Sequence, residues 1–134
     1  MHMQGTPQTM QQAPRYDDVV REVREFLTQR IAFAVDHGAK KSQIAVDPGI
    51  GFGKTVEHNM QLLAKLEQLS ALGCPIVVGA SRKSFLGRQP SERLPASLAV
   101  AAWAVAHGAN VVRVHDVAET VDVVRMVEAM KRAR

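Results

Sequence analysis

The stretch PIVVGASRKSF, residues 75–85, joins a short apolar run to a polar loop. The β-branched residues Ile76, Val77 and Val78 stand directly before Gly79, a pattern typical of a buried strand in a parallel sheet. Parallel sheets carry their chemistry on the loops that follow the carboxyl ends of their strands. The stretch therefore predicts a buried strand followed by a candidate binding loop.

The loop after this strand offers groups that suit an anionic or oxygen-rich small molecule. Gly79 leaves room for a ligand to lie against the backbone, and Lys83 supplies a mobile ammonium group. Ser81 and Ser84 add two hydroxyl groups that can donate or accept hydrogen bonds. A basic turn exposed to solvent is the alternative interpretation of the same residues.

The chain has the size and composition of one small globular domain. It contains 134 residues, 46% hydrophobic and 22% charged, which is enough to bury a single core. Its formal net charge of +4, from 17 Lys and Arg against 13 Asp and Glu, is compatible with a phosphorylated substrate. Nucleic-acid binding is not expected, because the excess is small and aromatic residues make up 4% of the chain.

Cysteine and histidine usage and the lack of long apolar runs bear on location and metal binding. The single cysteine, Cys74, cannot form a disulfide within the chain and favours a reducing compartment. No apolar stretch approaches the roughly 20 residues of a membrane helix, and no signal-peptide pattern opens the sequence. The five histidines are scattered, without helical pairs, so a zinc site is not expected. We expect a cytoplasmic protein without membrane contact.

Apolar periodicity predicts one helix followed by three strand–helix units. A polar loop at 1–15 precedes a helix at 17–37, in which apolar residues recur every three or four positions. The helix at 96–107 is apolar nearly all round and is expected to be well buried. The remaining predicted elements are a strand at 44–47, a helix with a leucine stripe ending near Gly73, strands at 75–79 and 111–115, and a helix at 118–131.

This alternation predicts an α/β fold of parallel βα units. Three parallel strands cannot close a barrel, and they would leave two apolar edges unpaired. Either the chain forms a small open α/β layer that pairs with another copy, or it is the last part of a (β/α)8 TIM barrel and is incomplete. In the second case, residues 1–134 form a single partial domain.

Two further polar groups stand at predicted strand ends. Asp47 follows the first strand, where its carboxylate can accept two parallel N–H bonds, although a cap or turn role is equally open. Arg113 and His115 lie two residues apart on one face of the last strand and would make a pyrophosphate clamp. A structural ion pair with Asp116 is the alternative there. Because carboxyl ends of parallel strands share one edge, all three groups are expected to meet.

The run PGIGFGKT, residues 48–55, imitates a phosphate-binding loop, in which Lys54 and Thr55 would contact a nucleotide. The first glycine of that motif is replaced by Pro48, which has no N–H and a fixed φ. Despite this defect, phosphate-loop nucleotide binding stays an alternative function. A non-catalytic assembly module that dimerises through its exposed sheet edge and outer helices is the other alternative.

Four motifs resemble the carboxyl-terminal half of the dihydropteroate synthase family. They are MHMQGTPQTMQ at 1–11, DPGIGFGKTVEHN at 47–59, GASRKSFLG at 79–87 and RVHDVAET at 113–120. The resemblance implies a (β/α)8 barrel enzyme of folate biosynthesis and a target of sulfonamides. Such an enzyme condenses 6-hydroxymethyl-7,8-dihydropterin pyrophosphate with 4-aminobenzoate to 7,8-dihydropteroate and pyrophosphate, using Mg²⁺.

The same resemblance assigns roles to residues of this chain. Asp47 would bind the amino-pyrimidine edge of the pterin and Lys83 its ring, and these two are the expected catalytic residues. Phe52 and Gly79 would line the pterin and aminobenzoate pockets, and Met1 or Met3 would pack on the pterin. The complete set of expected substrate-binding residues is Asp47, Phe52, Gly79, Ser81, Lys83, Ser84 near the aminobenzoate carboxylate, and Arg113 with His115 on the pyrophosphate.

The resemblance also implies what this sequence lacks. The first four strands of the family, with their own pterin-binding and metal-binding residues and two mobile loops, have no counterpart here. We therefore expect a partial sequence whose Mg²⁺ ligand lies outside this chain and which alone is weakly active or inactive. A homodimer is possible.

Overall fold

The computed structural model describes residues 1–87 and 89–133. Its four α-helices are α1 (Val19–Asp36), α2 (Val56–Ala64), α3 (Leu94–Ala106) and α4 (Val117–Arg132). Its two strands are β1 (Val77–Val78) and β2 (Val111–Val112). Four short 3-10 helices lie at Lys41–Gln43, Leu66–Leu72, Ser84–Leu86 and Pro90–Glu92.

The strands run parallel and follow chain order across the sheet. Val77 pairs with Val111 in β2, and an isolated parallel bridge joins Val46 to Ile76 at the other edge of β1. The predicted parallel arrangement of 44–47, 75–79 and 111–115 is confirmed. It brings the carboxyl ends of all three segments to one edge.

Regular pairing is shorter than the sequence predicts. The expected strand at 44–47 reduces to the bridge at Val46, because Pro48 follows it and Pro75 opposite offers a carbonyl and no N–H. The expected strand at 111–115 continues past β2 by one bond, from the Arg113 N–H to the Val78 carbonyl at 2.9 Å. Beyond that point, side chains make the cross-links.

Helix α1 matches the predicted helix at 17–37 within two residues. The Asp18 carboxylate caps it by accepting from two backbone N–H groups of the first turn. Val19, Val23 and Leu27 then bury one stripe of the helix. This stripe packs in the core with apolar residues of α2, the following 3-10 helix and the sheet.

The predicted helix that ends near Gly73 divides in two. Helix α2 ends at Ala64, and the chain continues as the 3-10 helix Leu66–Leu72 up to Gly73, whose φ of +64° is left-handed. Leu66, Leu69 and Leu72 are all buried, and their spacing of three residues places them on one face of a 3-10 helix. A continuous α-helix over this range was therefore a wrong expectation.

Helix α3 is less buried than its composition predicts. Ala101, Ala104 and Val105 are buried, but Trp103 remains 47% exposed. A surface groove of about 410 Å³ runs between α3 and α4 and is lined partly by Trp103 and Met130. The described residues pack against one face of α3. The helix is therefore half-buried, although it is apolar nearly all round. No described helix is long and apolar enough to cross a membrane.

Candidate substrate-binding site at the strand ends

Asp47 stands at the edge where the bridge at Val46 ends, and it is partly buried. Its Oδ1 accepts the Gly49 N–H at 2.7 Å, which is the turn role that the sequence left open. Within the described residues, Oδ2 has no hydrogen-bond partner. One carboxylate oxygen therefore holds the turn, while the other remains able to accept a bond from a ligand.

The glycine loop, residues 48–53, folds tightly between Asp47 and α2. Gly49 has a φ of +70°, and a Cβ there would lie 1.8 Å from the His2 carbonyl oxygen. Any side chain at this position would collide with backbone. Asn59, 2% exposed on α2, supports the loop from below because its Oδ1 accepts the Gly51 N–H at 2.7 Å.

Lys54 is 4% exposed, and its side chain makes its hydrogen bonds inside the protein. Its Nζ lies 2.9 Å from each of three atoms, the carbonyl oxygens of Gly49 and Phe52 and the Nδ1 of His2. Burial lowers the pKa of Lys54 to about 7, with the charge of Asp47 opposing the shift. Thr55, its neighbour, caps α2 through the His58 N–H. The polar atoms of both residues are thus already bonded within the protein, although both line a surface cavity, and this argues against the phosphate-loop alternative.

His2 completes this interior group. It is 6% exposed, and its backbone N–H donates to the Asp47 carbonyl at 3.0 Å. Burial, with the Lys54 charge in addition, lowers the pKa of His2 to about 4. The imidazole is thus neutral near pH 7 and can accept from the Lys54 ammonium. Met1 beside it is 54% exposed and Met3 is partly buried, so the pterin contact expected of one of them stays a prediction.

Lys83 extends from the loop after β1 to the glycine loop. Its Nζ donates to the Ile50 carbonyl and lies 4.2 Å from the centroid of the Phe52 ring. Burial lowers the pKa of Lys83 to about 8, with Asp47 opposing the shift and Arg113 adding to it. The charges of the other two strand-end groups therefore both act on this one ammonium.

Gly79 and Arg113 meet across the sheet edge. A Cβ on Gly79 would lie 2.8 Å from one terminal nitrogen of the Arg113 guanidinium and 3.2 Å from its central carbon. The missing side chain therefore lets the guanidinium lie flat against the backbone at the end of β1. Arg113 itself is exposed, so its other face is open to an anion.

Ser81 and His115 form the next cross-link. Ser81 is 8% exposed, and its Oγ lies 3.2 Å from the His115 backbone nitrogen and 3.0 Å from His115 Nδ1. The sequence offered an ion pair of Arg113 and His115 with Asp116 as the alternative. Asp116 instead pairs with Arg82. Arg113 and His115 are thus not engaged by that carboxylate.

Ser84 is exposed at the start of the 3-10 helix Ser84–Leu86. It borders a surface cavity of about 450 Å³ together with Gly51, Asn59 and Phe85. A hydroxyl beside such a cavity can donate to a carboxylate that enters from solvent. Gly51 of the glycine loop lines the same cavity, and Ser84 directly follows Lys83 in the chain.

The eight expected site residues lie at the carboxyl-end edge of the sheet and in its adjoining loops, and several of them are joined by contacts or by the effect of their charges. Lys83 links Phe52 to the charges of Asp47 and Arg113, Gly79 receives Arg113, Ser81 holds His115, and Ser84 adjoins the cavity. The supporting roles of four residues were not predicted from the sequence, and these residues are His2, Lys54, Asn59 and Arg82. Asn59 could have been found, because it lies three positions before Leu62 on the buried stripe of α2.

A magnesium site is not formed by the residues of this chain that the structure describes. Within 1–87 and 89–133, no group of three or more His, Cys, Asp or Glu side chains could hold an ion. The described residues alone therefore do not supply a set of Mg²⁺ ligands.

Comparison with known proteins identifies the family of this chain. The family described as "Pterin binding enzyme" matches residues 1–115. Dihydropteroate synthase of Escherichia coli K12 is 49% identical over 138 aligned positions, which cover 100% of this chain and 49% of that protein. The chain thus spans about half the length of the curated relatives it matches.

Solved structures give the same result. The dihydropteroate synthase of Yersinia pestis, in a sulfonamide drug complex, superposes with a TM-score of 0.97 at 43% identity, covering 99% of this chain and 50% of that one. The enzyme of Thermus thermophilus, in complex with 4-aminobenzoate, gives a TM-score of 0.88 at 40% identity, covering 94% and 53%. The predicted fold, an incomplete part of a (β/α)8 barrel, is confirmed. The chain belongs to the pterin-binding enzyme family and resembles its dihydropteroate synthases from end to end.

Proposed function

We propose that this chain supplies half of the substrate site of a dihydropteroate synthase of folate biosynthesis. In the proposed reaction, the amine of 4-aminobenzoate forms a C–N bond to the methylene carbon of 6-hydroxymethyl-7,8-dihydropterin pyrophosphate. The C–O bond to pyrophosphate breaks, pyrophosphate leaves with that electron pair, and the amine loses a proton. The products are 7,8-dihydropteroate and pyrophosphate.

The observation that carries the proposal is the position of Lys83 among the three strand-end groups. Its ammonium donates to the Ile50 carbonyl and lies 4.2 Å from the Phe52 ring centroid, and the charges of Asp47 and Arg113 act on its pKa in opposite directions. A flat heterocycle with a pyrophosphate tail suits such a site, because the cation and the aromatic ring would bind its plane. The anion would reach the guanidinium.

Each remaining group has a proposed role that fits its contacts. Asp47 Oδ2 would accept from the amino-pyrimidine edge of the pterin, since Oδ1 already holds the Gly49 N–H. Arg113 and His115 would bind the pyrophosphate, and Gly79 and Phe52 would line the pterin and aminobenzoate pockets. Ser84 would donate to the aminobenzoate carboxylate, and Ser81 would act through His115.

The ligands in solved structures of two relatives support the proposed substrates. The Thermus thermophilus structure contains 4-aminobenzoate, and the Yersinia pestis structure contains a sulfonamide drug. We extend both to this chain as ligands of the cavity beside Ser84. A cytoplasmic location and a homodimer remain part of the proposal.

The test is a turnover assay on the full-length gene product. The proposal predicts dihydropteroate formation from the two substrates, inhibited by a sulfonamide. Absence of turnover, together with tight ATP or GTP binding that vanishes in Lys54→Ala and survives in Lys83→Ala, would establish the phosphate-loop alternative. Self-association without binding of any of these small molecules would establish the assembly module.

A further inference from the structure

We propose that Ser81 is a positioning residue whose hydroxyl fixes the His115 imidazole in the tautomer that carries its proton on Nε2. The proposal rests on the function above, in which His115 binds pyrophosphate. It gives Ser81 a different task from direct contact with substrate.

Two bonds from one oxygen define the geometry. Ser81 Oγ accepts the His115 backbone N–H at 3.2 Å and lies 3.0 Å from the Nδ1 of the same residue. Ser81 follows β1 and His115 follows β2, so this oxygen ties together two neighbouring strand ends. The serine is 8% exposed, whereas the histidine is exposed to solvent.

The hydrogen bonds that the Ser81 hydroxyl donates and accepts then determine the tautomer of His115. A hydroxyl has one proton to donate and two lone pairs with which to accept. One lone pair takes the His115 backbone N–H, and a buried hydroxyl proton needs an acceptor of its own. Among the described residues, that acceptor is His115 Nδ1. Nδ1 therefore holds a lone pair in the neutral ring, and the proton lies on Nε2.

Within the described residues, the neighbouring carboxylate makes no hydrogen bond to the ring. A carboxylate beside Nδ1 would hold a proton on that nitrogen and leave Nε2 unprotonated. Asp116 is the adjacent acid in sequence, but its two oxygens are engaged by Arg82, one of them at 3.1 Å from Nε of the guanidinium. The Ser81 hydroxyl is thus the hydrogen-bond partner of Nδ1 among the described residues and determines the tautomer of the imidazole.

The consequence concerns an anion that approaches the exposed edge of the ring. With the proton on Nε2, the ring donates a hydrogen bond to the anion whether it is neutral or charged. With the opposite tautomer, the neutral ring would present a lone pair to the anion and repel it. The Ser81 hydroxyl therefore lets His115 serve the anion beside Arg113 in either protonation state.

The test reads the tautomer directly by two-bond proton–nitrogen correlation spectra of ¹⁵N-labelled full chain, with His115→Gln to assign the ring. The variants are Ser81→Ala, Ser81→Thr, which retains a hydroxyl, and Ser97→Ala as a matched control. Ser97 is 6% exposed, and its Oγ accepts the Arg82 N–H at 3.0 Å, so it is a buried serine of the same region. Inorganic pyrophosphate is then titrated calorimetrically into each protein.

We expect neutral His115 to carry its proton on Nε2 in the parent chain, in Ser81→Thr and in Ser97→Ala. In Ser81→Ala, a mixture of tautomers should appear, and the Kd for pyrophosphate should rise about threefold to tenfold. A proton on Nδ1 in the parent chain, or identical spectra for Ser81→Ala and the parent, would overturn the proposal. Absence of pyrophosphate binding in the parent would instead refute the anion role of His115, while the spectra still decide the role of Ser81.

Discussion

The Nζ of Lys83 lies 4.2 Å from the centroid of the Phe52 ring, a contact that joins the loop after β1 to the glycine loop. The same Nζ donates to the Ile50 carbonyl. The side chain also crosses Gly51, where a Cβ would lie 2.8 Å from Lys83 Cδ. One lysine therefore spans two of the three strand-end groups, and the glycine under it is required for that path.

Replacing this lysine should impair function more than replacing the other lysine of the region. Lys83→Ala removes a partly exposed cation next to the proposed ligand, so we expect a loss in kcat/KM of about tenfold or more with an unchanged Tm. Lys54→Ala removes a buried donor from the Phe52 carbonyl and the His2 ring, which should lower the free energy of unfolding by about 1–3 kcal/mol. Steady-state kinetics and thermal melting of both variants check this. A larger loss of kcat/KM in folded Lys54→Ala than in Lys83→Ala would contradict it.

The affinity for anionic substrate should depend on the charge of Lys83. Its pKa is lowered to about 8, chiefly by burial, so the ammonium loses its proton as the pH rises through that value. Affinity for the pterin pyrophosphate should therefore fall between about pH 7 and about pH 9. Calorimetric titration across this range measures the effect. In Lys83→Arg, whose guanidinium stays charged, the fall should be absent. An equal fall in that variant would assign the titration to another group.

Fold stability should decline in mild acid because of His2. Its pKa is lowered from 6.5 to about 4 in the folded chain, mainly by burial, so the unfolded chain binds the proton more readily. Stability that is present above pH 6.5 is therefore lost as the pH falls towards 4. Denaturant unfolding at a series of pH values measures the loss. His2→Gln should reduce the slope, whereas His37→Gln, at an exposed histidine after α1, should retain it.

A methyl group on Gly79 should act through Arg113. The added Cβ would lie 2.8 Å from a terminal guanidinium nitrogen, and the flexible arginine side chain can move away. Gly79→Ala should therefore weaken pyrophosphate binding by about threefold to tenfold while leaving the Tm unchanged. A double-mutant cycle separates the causes, because the effect should vanish in an Arg113→Ala background. A similar loss in that background would point to direct blockage of the ligand.

The convergence of the three strand-end groups could be predicted from sequence for a simple reason. Short β-branched runs separated by helices specify parallel strands, and parallel strands bring Asp47, Lys83 and Arg113 to one edge whatever the details of packing. The hydrogen-bond partners of these residues could not be predicted in the same way. Asp116 pairs with Arg82 rather than with Arg113 or His115, and Arg82 has a φ of +57°, a left-handed conformation that no local pattern indicates.

The support beneath the glycine loop was also beyond the reach of sequence patterns. A lysine after three glycines suggests a mobile phosphate ligand, and Lys54 instead fills a buried site between Gly49, Phe52 and His2. That site exists because His2, 52 positions before Lys54 in the chain, packs against the loop. The exposed face of α3 was missed for a related reason, since amino-acid composition does not specify which neighbours are present.

Asp47 carries the central assignment, and two substitutions separate its two roles. Asp47→Asn retains an oxygen for the Gly49 N–H, which is held at 2.7 Å, and replaces the other oxygen by an amide donor. Asp47→Ala loses both. We therefore expect an unchanged Tm for Asp47→Asn and a lower Tm for Asp47→Ala.

Titration of the full-length gene product with the dihydropterin pyrophosphate, alongside thermal melting, is the most direct measurement of this claim. For Asp47→Asn, we expect a rise in Kd of about tenfold to several-hundredfold, because the amide donor of the asparagine would face the N–H edge of the pterin. The Tm of that variant should equal that of the parent. A large drop in Tm with an unchanged Kd would show that the carboxylate serves the fold and that the site assignment is wrong.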